Sequence, residues 1–533
     1  MHDKPLRERV ALSKARAIVR DHARSTESER ADTEASLGRV TAEPVRARLA
    51  SPAHRVSAMD GIAVRACDTT PAAETPVVLR TDADGAKCVP IDTGGAVPAW
   101  ADAVVRIENT CEVEGGFEVR AAVHPGRDVR AVGEDIAAGA VLLGRGQVIG
   151  AYDVGAMLAT GVAHVLVRRA PEIAVIATGS EVIEPLGEGE TPRPGQVIEF
   201  NSRVLAADAS SWGARVRYLG RAPDDLAVLA ELILAGAAKH DVVCVIAGSS
   251  AGRRDLTVEA LGRCGDLLFH GVDVMPGKPA AFGRVDGTPV LCVPGYPVSA
   301  AIVYRELLRP LIDACLGRRL RPARKVSAQV HRKIPSRLGV EELLRVCLAY
   351  DEGGLVVAPL PRGAGSISTL TRAHGLLRIP PTCEGFASGS VVDVELLEPD
   401  FDATAAVVVA NPPEALTAAL EDVVARLATP ARFSHLGLAE HDAIAALRAG
   451  ESHLAVVGGA SSVERVDGAA CFVLTADGGV ACGTLVASAS FTRSALGQHV
   501  LQTLCGDEFA AEAARALELA DPVRVSARTE ART

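Results

Sequence analysis

VLCVPGYPVSA, residues 290–300, decides the fold. Val290–Val293 is a run of four apolar residues, the signature of a short buried strand. Pro294-Gly295-Tyr296-Pro297 then turns the chain, because proline fixes φ and lacks an N–H while glycine accepts angles other residues avoid. A helix follows from Ser299 through the Ala/Val/Leu-rich stretch to Leu311, with Pro297 near its first turn, where a missing N–H costs nothing. Strand, rigid turn and helix N-terminus is how an α/β protein builds an anion site from backbone groups. A plain strand-to-helix connection is the structural alternative.

Upstream, Val274-Met275-Pro276-Gly277-Lys278-Pro279 clamps a lysine between prolines. The chain has seven lysines among its 56 basic residues, so a lysine in its most rigid turn stands out as a point charge for phosphate or oxyanions. It is not a Walker loop. Gly271 to Gly277 is one residue too long, and Pro279 stands where Ser or Thr would hold magnesium. A surface lysine in a turn is the bland alternative.

From Pro171 onward, strands alternate with helices. EIAVIATGS is a strand, Asn201–Trp212 a helix, ARVRYLG a strand, Asp224–Ala238 a helix and DVVCVIAGSS a strand. A helix around Thr257–Leu261, the strands LLFHGVDV and TPVLCVPG, and a final helix to about Leu316 complete the unit. This pattern means βαβ units and a mostly parallel sheet, whose ligands bind beyond the carboxyl ends of the strands. Those ends are Thr178-Gly179-Ser180-Glu181, Ala247–Gly252 and the Pro294–Pro297 turn.

The rest of the chain sets the frame. Residues 4–20 have the spacing of an amphipathic helix, and 40–125 breaks into short β-rich runs such as TPVVLR (75–80) and DAVVRIENT (102–110). A helix at Ala151–Leu158 and the strand HVLVRR follow. Residues 320–398 read as all-β, 399–413 as a break, and 414–533 as mixed helix and strand. A length of 533 residues suits three or four domains. The fold class is α/β multidomain: a β-rich N-terminal region, a central three-layer α/β domain, an all-β domain and a small C-terminal α/β extension. The boundaries fall at 1–167 (with an inserted β subdomain at about 67–130), 168–318, 319–398 and 414–533.

Composition narrows the functions. A formal charge of −10 and 3% aromatic residues argue against a nucleic-acid binder. Twelve cysteines form no CxxC pair or Cys/His cluster, so reduced core thiols are expected rather than zinc or disulfides. The charged start MHDKPLRERV lacks a signal core, and the longest apolar stretch, near Leu226–Ala238, carries Glu231 and is too short for a bilayer. The chain reads as cytosolic, with no membrane partner.

Several motifs now fall in order. They are Ser57-Ala58-Met59-Asp60-Gly61, Thr93-Gly94, Gly133-Glu134-Asp135-Ile136, Thr178-Gly179-Ser180-Glu181, Asn201, Asp224-Asp225, Ser250-x-Gly252-x-x-Asp255, Pro276-Gly277-Lys278-Pro279 and Pro294-Gly295-x-Pro297-Val298-Ser299. Over about residues 5–398 this set resembles the MoeA/gephyrin-E family, the molybdopterin molybdenumtransferases. The resemblance implies a MogA-like central domain, a homodimer, and a site at the 168–318 sheet completed by the partner's N-terminal residues. It also implies insertion of molybdate into adenylylated molybdopterin with loss of AMP, using Mg2+.

Both reactants are anions, and magnesium held by carboxylates, with backbone N–H groups and a lysine, cancels their repulsion. By resemblance Asp60, Asp135, Glu181, Asp255 and Lys278 are the catalytic candidates, with Glu181 and Asp255 as metal ligands. Ser57, Thr93, Gly179, Ser250, Gly252, Arg253, Gly277, Pro294, Gly295, Pro297 and Ser366 are the substrate-binding candidates. Each acid also has a structural reading: Asp60 as a turn residue, Glu181 and Asp255 as helix-start residues, Asp135 as a loop acid. Molybdopterin adenylyltransferase and molybdoenzyme apoproteins are the implied protein partners.

The chain departs from the family pattern at Arg253, Ala247, Met275, Arg55-Val56 and His374, which stands for the usual Asn between Ala373 and Gly375. These changes bear on substrate identity and rate. Arg253 and Met275 favour a rival reading, a non-catalytic molybdate or cofactor sensor. A second rival is the adenylylation step itself. The tail, from Ser434-His435-Leu436 through Cys505-Gly506-Asp507, is similar to a periplasmic-binding-protein-like domain in a reduced, one-lobe form, with Asp442–Glu451 expected as a solvated helix.

Overall fold

A computed structural model describes residues 9–81, 87–247, 256–319, 322–351, 353–412, 414–427, 431–457, 470–475, 481–505, 509 and 524–528. The chain divides into two compact units, one of Ser25–Pro171 with Asp313–Arg319, the other of Met1–Arg24, Glu172–Ile312 and Leu320–Thr533.

In the larger unit a six-stranded sheet runs in the order Arg215–Ala222, Glu172–Thr178, Val242–Ile246, Thr288–Val293, Ala281–Val285, Asp266–His270. The first four strands are parallel, and Ala281–Val285 runs antiparallel between Thr288–Val293 and Asp266–His270. Successive residues Ile173, Ala174, Val175 and Ile176 are all fully buried, as are Val242 to Val245, so both faces are covered. Helices Leu226–Ala237 and Leu256–Cys264 pack Leu229, Ile233 and Leu261 on one face.

LLFHGVDV is not one strand. Gly271, at φ +89°, breaks it into Asp266–His270, which edges the parallel sheet, and Val272–Met275, which joins another. Ala281–Val285, to which the sequence pattern assigns no element, is the antiparallel partner of Thr288–Val293.

Strands Lys325–Gln329, Glu341–Asp351, Gly354–Pro359, Gly375–Ile379 and Val391–Leu396 pair in a closed ring, a small barrel without free edges. Val272–Met275 and then Val10–Ala11 add to it in parallel alongside Glu341–Asp351. Helix Leu12–Asp21 follows, burying Leu12, Ala15 and Val19 on one stripe.

The last sheet corrects the expected break at 399–413. Ala406–Ala410, five buried apolar residues, is its second strand, in the order Arg432–Leu436, Ala406–Ala410, Leu454–Val457, Ala481–Ala487, Ala470–Thr475, Arg524–Arg528. Its first three strands are parallel. Val408, Ala410, Leu436 and Val457 share one core with Cys347, Ala349, Ala358 and Leu360 of the barrel. The expected solvated helix is amphipathic: Glu440–Arg448 buries Ala443, Ile444, Ala446 and Leu447, and Glu451 beyond it is buried against Arg332.

Polar groups finish this junction. His374 Nε2 meets Ser434 Oγ at 2.7 Å, and its Nδ1 accepts the Leu348 N–H at 2.9 Å. His453 Nδ1 accepts the Val408 N–H at 3.0 Å, and its Nε2 lies 3.1 Å from the Tyr350 carbonyl.

The smaller unit contains small antiparallel sheets, as the short β-rich runs imply. Gly61–Val64 lies between Cys88–Ile91 and Ala103–Arg106, and Gly116–Val119 between Val77–Arg80 and Thr110–Val113. Helix Ala151–Ala159 and strand His164–Arg168, paired with Ser28–Asp32, complete it.

Burial pushes His374 down to about 3 and His453 down to about 4, so both are neutral in the folded protein. An unfolded histidine takes up its proton near pH 6.5, so the stabilising effect is complete above that pH and is lost as pH falls from there towards 4. The thermal midpoint of the barrel and C-terminal sheet should therefore change little from this cause above about pH 6.5 and fall between there and pH 5 in scanning calorimetry. His374→Asn, which removes one of the two groups, should fall less steeply.

Candidate functional site

Four segments meet at the carboxyl edge of the parallel strands. Thr178 ends the first, its hydroxyl donating to the Ile246 carbonyl at 3.2 Å. Gly179 has φ +124°, and a Cβ there would lie 2.9 Å from Glu181 Oε2, so the turn that folds the Glu181 carboxylate back requires glycine. The Ser180 N–H donates to Asp224 Oδ2 at 3.0 Å, and Arg221 donates to the Gly179 carbonyl at 3.2 Å. Glu181 is half-buried and Ser180 exposed.

The second segment is Pro294–Pro297, with Pro294 buried and Tyr296 exposed. Asn201 Nδ2 donates to the Gly295 carbonyl at 2.7 Å, and the Tyr304 hydroxyl donates to the Asn201 carbonyl at 3.2 Å. Helix Pro297–Val303 begins here as expected, but its Val298 N–H donates to the Ala364 carbonyl at 3.0 Å. The helix N-terminus is thus partly committed to the protein itself, a correction to the bare anion cradle read from the sequence.

Third is the lysine turn. Ala281 pairs with Cys292, near the carboxyl end of Thr288–Val293, which brings residues 276–280 to the same edge. Gly277 has φ +118°, and a Cβ there would stand 3.3 Å from both Val274 Cγ1 and Val303 Cγ2. The Val272 N–H donates to the Lys278 carbonyl at 2.9 Å, while the Lys278 side chain is exposed.

The fourth is loop 361–367, with exposed Ser366. Arg345, 1% exposed, donates to the carbonyls of Pro361 at 2.6 Å and Gly363 at 3.2 Å and to Thr369 Oγ1 at 3.2 Å. Thr369 Oγ1 in turn donates to the Ser366 carbonyl at 2.7 Å. Arg362 adds a 2.6 Å bond to buried Glu342. Burial brings Arg345 down to about 10, still charged at neutral pH.

In the other unit Ser57, Asp60 and Thr93 converge. The Gly94 N–H donates to the Ser57 carbonyl at 2.8 Å, and buried Ser57 Oγ donates to the Met59 carbonyl at 2.5 Å. Asp60 Oδ1 accepts the Thr93 N–H at 2.6 Å and its hydroxyl at 2.8 Å, which holds the carboxyl below its usual range. Asp135 stands exposed on a separate loop, its N–H donating to the Ser51 carbonyl at 3.1 Å.

The edge therefore gathers Gly179, Glu181, Gly277, Lys278, Pro294, Gly295, Pro297 and Ser366. Ser250, Gly252, Arg253 and Asp255 lie outside the described residues. Among the described residues no three His, Cys, Asp or Glu side chains cluster as a metal cage. Magnesium takes one or two carboxylates and completes its octahedron with phosphate and water, and Glu181 is one such hard donor among the described residues of this edge.

Two residues escaped the sequence reading. Arg345, a charge inside the apolar run LLRVCLAY, carries the signal of a buried, paired group. Glu199, 5% exposed, accepts from Ser202 N–H at 2.8 Å, Ser202 Oγ at 2.5 Å and Arg203 at 2.8 Å, and so fixes the helix that presents Asn201. Two departures acquire structural roles. Arg55 donates to the carbonyls of Pro98 and Ala99, and His374 is buried in the barrel's junction with the C-terminal sheet rather than facing a substrate.

A parallel sheet with a clamped carboxyl edge, a small barrel and a β-rich companion unit define the class. Three family models match in order: the MoeA N-terminal region (domain I and II) over 10–161, a probable molybdopterin binding domain over 174–314, and the MoeA C-terminal region (domain IV) over 327–397. A putative molybdopterin biosynthesis protein of Methanocaldococcus jannaschii is 31% identical over 373 residues, spanning 68% of this chain and 90% of its own. Molybdopterin molybdenumtransferase 2 of Mycobacterium tuberculosis is 34% identical over 381 residues, 67% and 92% of the two chains. The crystal structure of a MoeA protein from Pyrococcus horikoshii superimposes with a TM-score of 0.65 at 31% identity, covering 73% of this chain and all of the other. The chain belongs to the MoeA family.

Asn201→Ala removes the side-chain donor to the Gly295 carbonyl, a loss of about 1–2 kcal/mol in urea unfolding. Substrate affinity should weaken with it, measurable by calorimetric titration.

Proposed function

We propose that this chain is a molybdopterin molybdenumtransferase, inserting molybdate into adenylylated molybdopterin with release of AMP. The observation that carries the reading is the carboxyl edge, where Lys278 and Glu181 stand on two rigid glycine turns beside the Pro294–Pro297 turn. Relatives bearing that name align over about nine-tenths of their length, which supports the assignment.

Lys278 offers a compact positive charge to phosphate or molybdate, on a turn that costs no rearrangement when the anion arrives. Ser366 offers a hydroxyl from the loop that Arg345 holds. Asp60, whose carboxyl Thr93 holds below its usual range, and Asp135 are further acidic candidates by resemblance. Glu181 and Asp255 would hold magnesium. When bound, magnesium supplies the charge neutralisation that lets two anions share the site. A homodimer, a cytoplasmic location, and molybdopterin adenylyltransferase and molybdoenzyme apoproteins as partners belong to the same proposal.

The test is AMP release by the purified chain given adenylylated molybdopterin, molybdate and magnesium, read by chromatography. Lys278→Ala should lower the rate by about 10²–10³, the usual effect of removing a preorganised electrostatic group. Chelation should abolish release and excess magnesium restore it. Binding of both substrates without AMP release would establish the sensor instead, and ATP-dependent adenylylation of free molybdopterin the adenylyltransferase.

A further inference from the structure

The C-terminal sheet lies beyond the three family models, which end at residue 397, yet it reaches the candidate site through a short chain of bonds. Its edge strand Arg432–Leu436 faces helix Ser368–Arg372, which directly follows the Ser366 loop. Arg432 Nη2 donates to the Thr371 carbonyl at 3.2 Å. Ser434, fully buried, donates to the Arg372 carbonyl at 3.3 Å while bonding His374. Arg372 Nη1 donates to His435 Nδ1 at 3.1 Å, and its other nitrogens hold Ser368 at 2.9 and 2.6 Å. Three side chains of one strand, Arg432, Ser434 and His435, thus meet the exit of the helix, where carbonyls lack partners within the helix.

At the entrance of that helix, the Thr369 N–H and hydroxyl both donate to the Ser366 carbonyl. Ala364, two residues earlier, accepts from Val298 at the start of the helix after Pro294–Pro297. A Cβ on Gly365 would lie 3.5 Å from the Tyr296 ring. The bonds run without a gap from strand Arg432–Leu436 to the Pro294–Pro297 turn.

We propose that the C-terminal sheet is a built-in positioning module: its strand Arg432–Leu436 grips helix Ser368–Arg372 and so sets the Ser366 loop against the Pro294–Pro297 turn. His435, Ser434 and Arg372 are the positioning residues. His374 fits the same design, since its imidazole reaches Ser434 across the junction. The proposal rests on the reading of this edge as the molybdopterin site.

The test uses the full chain carrying Ser434→Ala, His435→Ala or both. Hydrogen exchange is followed by mass spectrometry over 361–372, with strand Glu172–Thr178 as internal control, beside KM and kcat for adenylylated molybdopterin. Exchange over 361–372 should quicken about tenfold, the scale of losing a buried hydrogen-bond partner, with 172–178 unchanged. KM should rise about five- to tenfold with kcat within about twofold, the pattern of lost ground-state positioning. His435→Asn, which keeps an acceptor near the Nδ1 position, should restore both. Unchanged exchange in a cooperatively unfolding variant overturns the proposal, as does faster exchange with unchanged KM. If the wild-type chain releases no AMP, the transferase reading falls and the exchange measurement alone decides the coupling.

Discussion

The Asn201 bond to the Gly295 carbonyl is where the larger unit's architecture converges. A proline–glycine–tyrosine–proline turn cannot hydrogen-bond itself into a unique place, because two of its four residues lack a donor. Its position comes from outside: Asn201 from one helix, Tyr304 behind Asn201, and Ala364 from a loop of the barrel domain. Glu199 fixes the helix that carries Asn201, and Arg345 fixes the loop that carries Ala364. Every one of these anchors is buried or half-buried, so the turn inherits the rigidity of two cores.

Arginine does much of this work. Arg345 satisfies two loop carbonyls from inside a barrel, and Arg378 meets Glu341, Glu306 and Glu395 where the barrel adjoins the long C-terminal helix of the parallel-sheet domain. Glu306 lies 4% exposed, also against Arg16 of the first helix. A planar guanidinium serves several acceptors at once and stays charged when buried, which suits it to hold loops that have no regular structure of their own. Lysine is left for the exposed turn at the edge, where a mobile point charge is more useful.

Much of this was legible in the residues. Near-continuous apolar strands such as IAVIAT and VLCV, spaced by helices, announce a parallel sheet, and glycines at 179 and 277 announce positive-φ turns that the structure contains. Ala406–Ala410 was lost because its neighbours, rich in Asp and Pro, look like a linker, and a five-residue apolar run has no periodicity to distinguish it. Ala281–Val285 was lost because pairing with an adjacent strand, not local preference, makes it a strand. Arg345 and Glu199 stayed hidden because their partners are carbonyls and hydroxyls that no spacing rule brings together.

Periodicity and turn chemistry depend only on near neighbours along the chain, so the sequence by itself determined the βαβ order, the carboxyl-edge location of Gly179 and Pro294–Pro297, and the β-rich companion unit, while the antiparallel pairing of Ala281–Val285 brought Lys278 to that edge. The tertiary structure alone decided that the barrel closes, that Val298 gives its N–H to a loop rather than leaving it for a ligand, and that the C-terminal sheet shares a core with the barrel. Those outcomes depend on contacts between residues tens to hundreds of positions apart, which hydrophobic burial and hydrogen-bond satisfaction select only once the whole chain is compact.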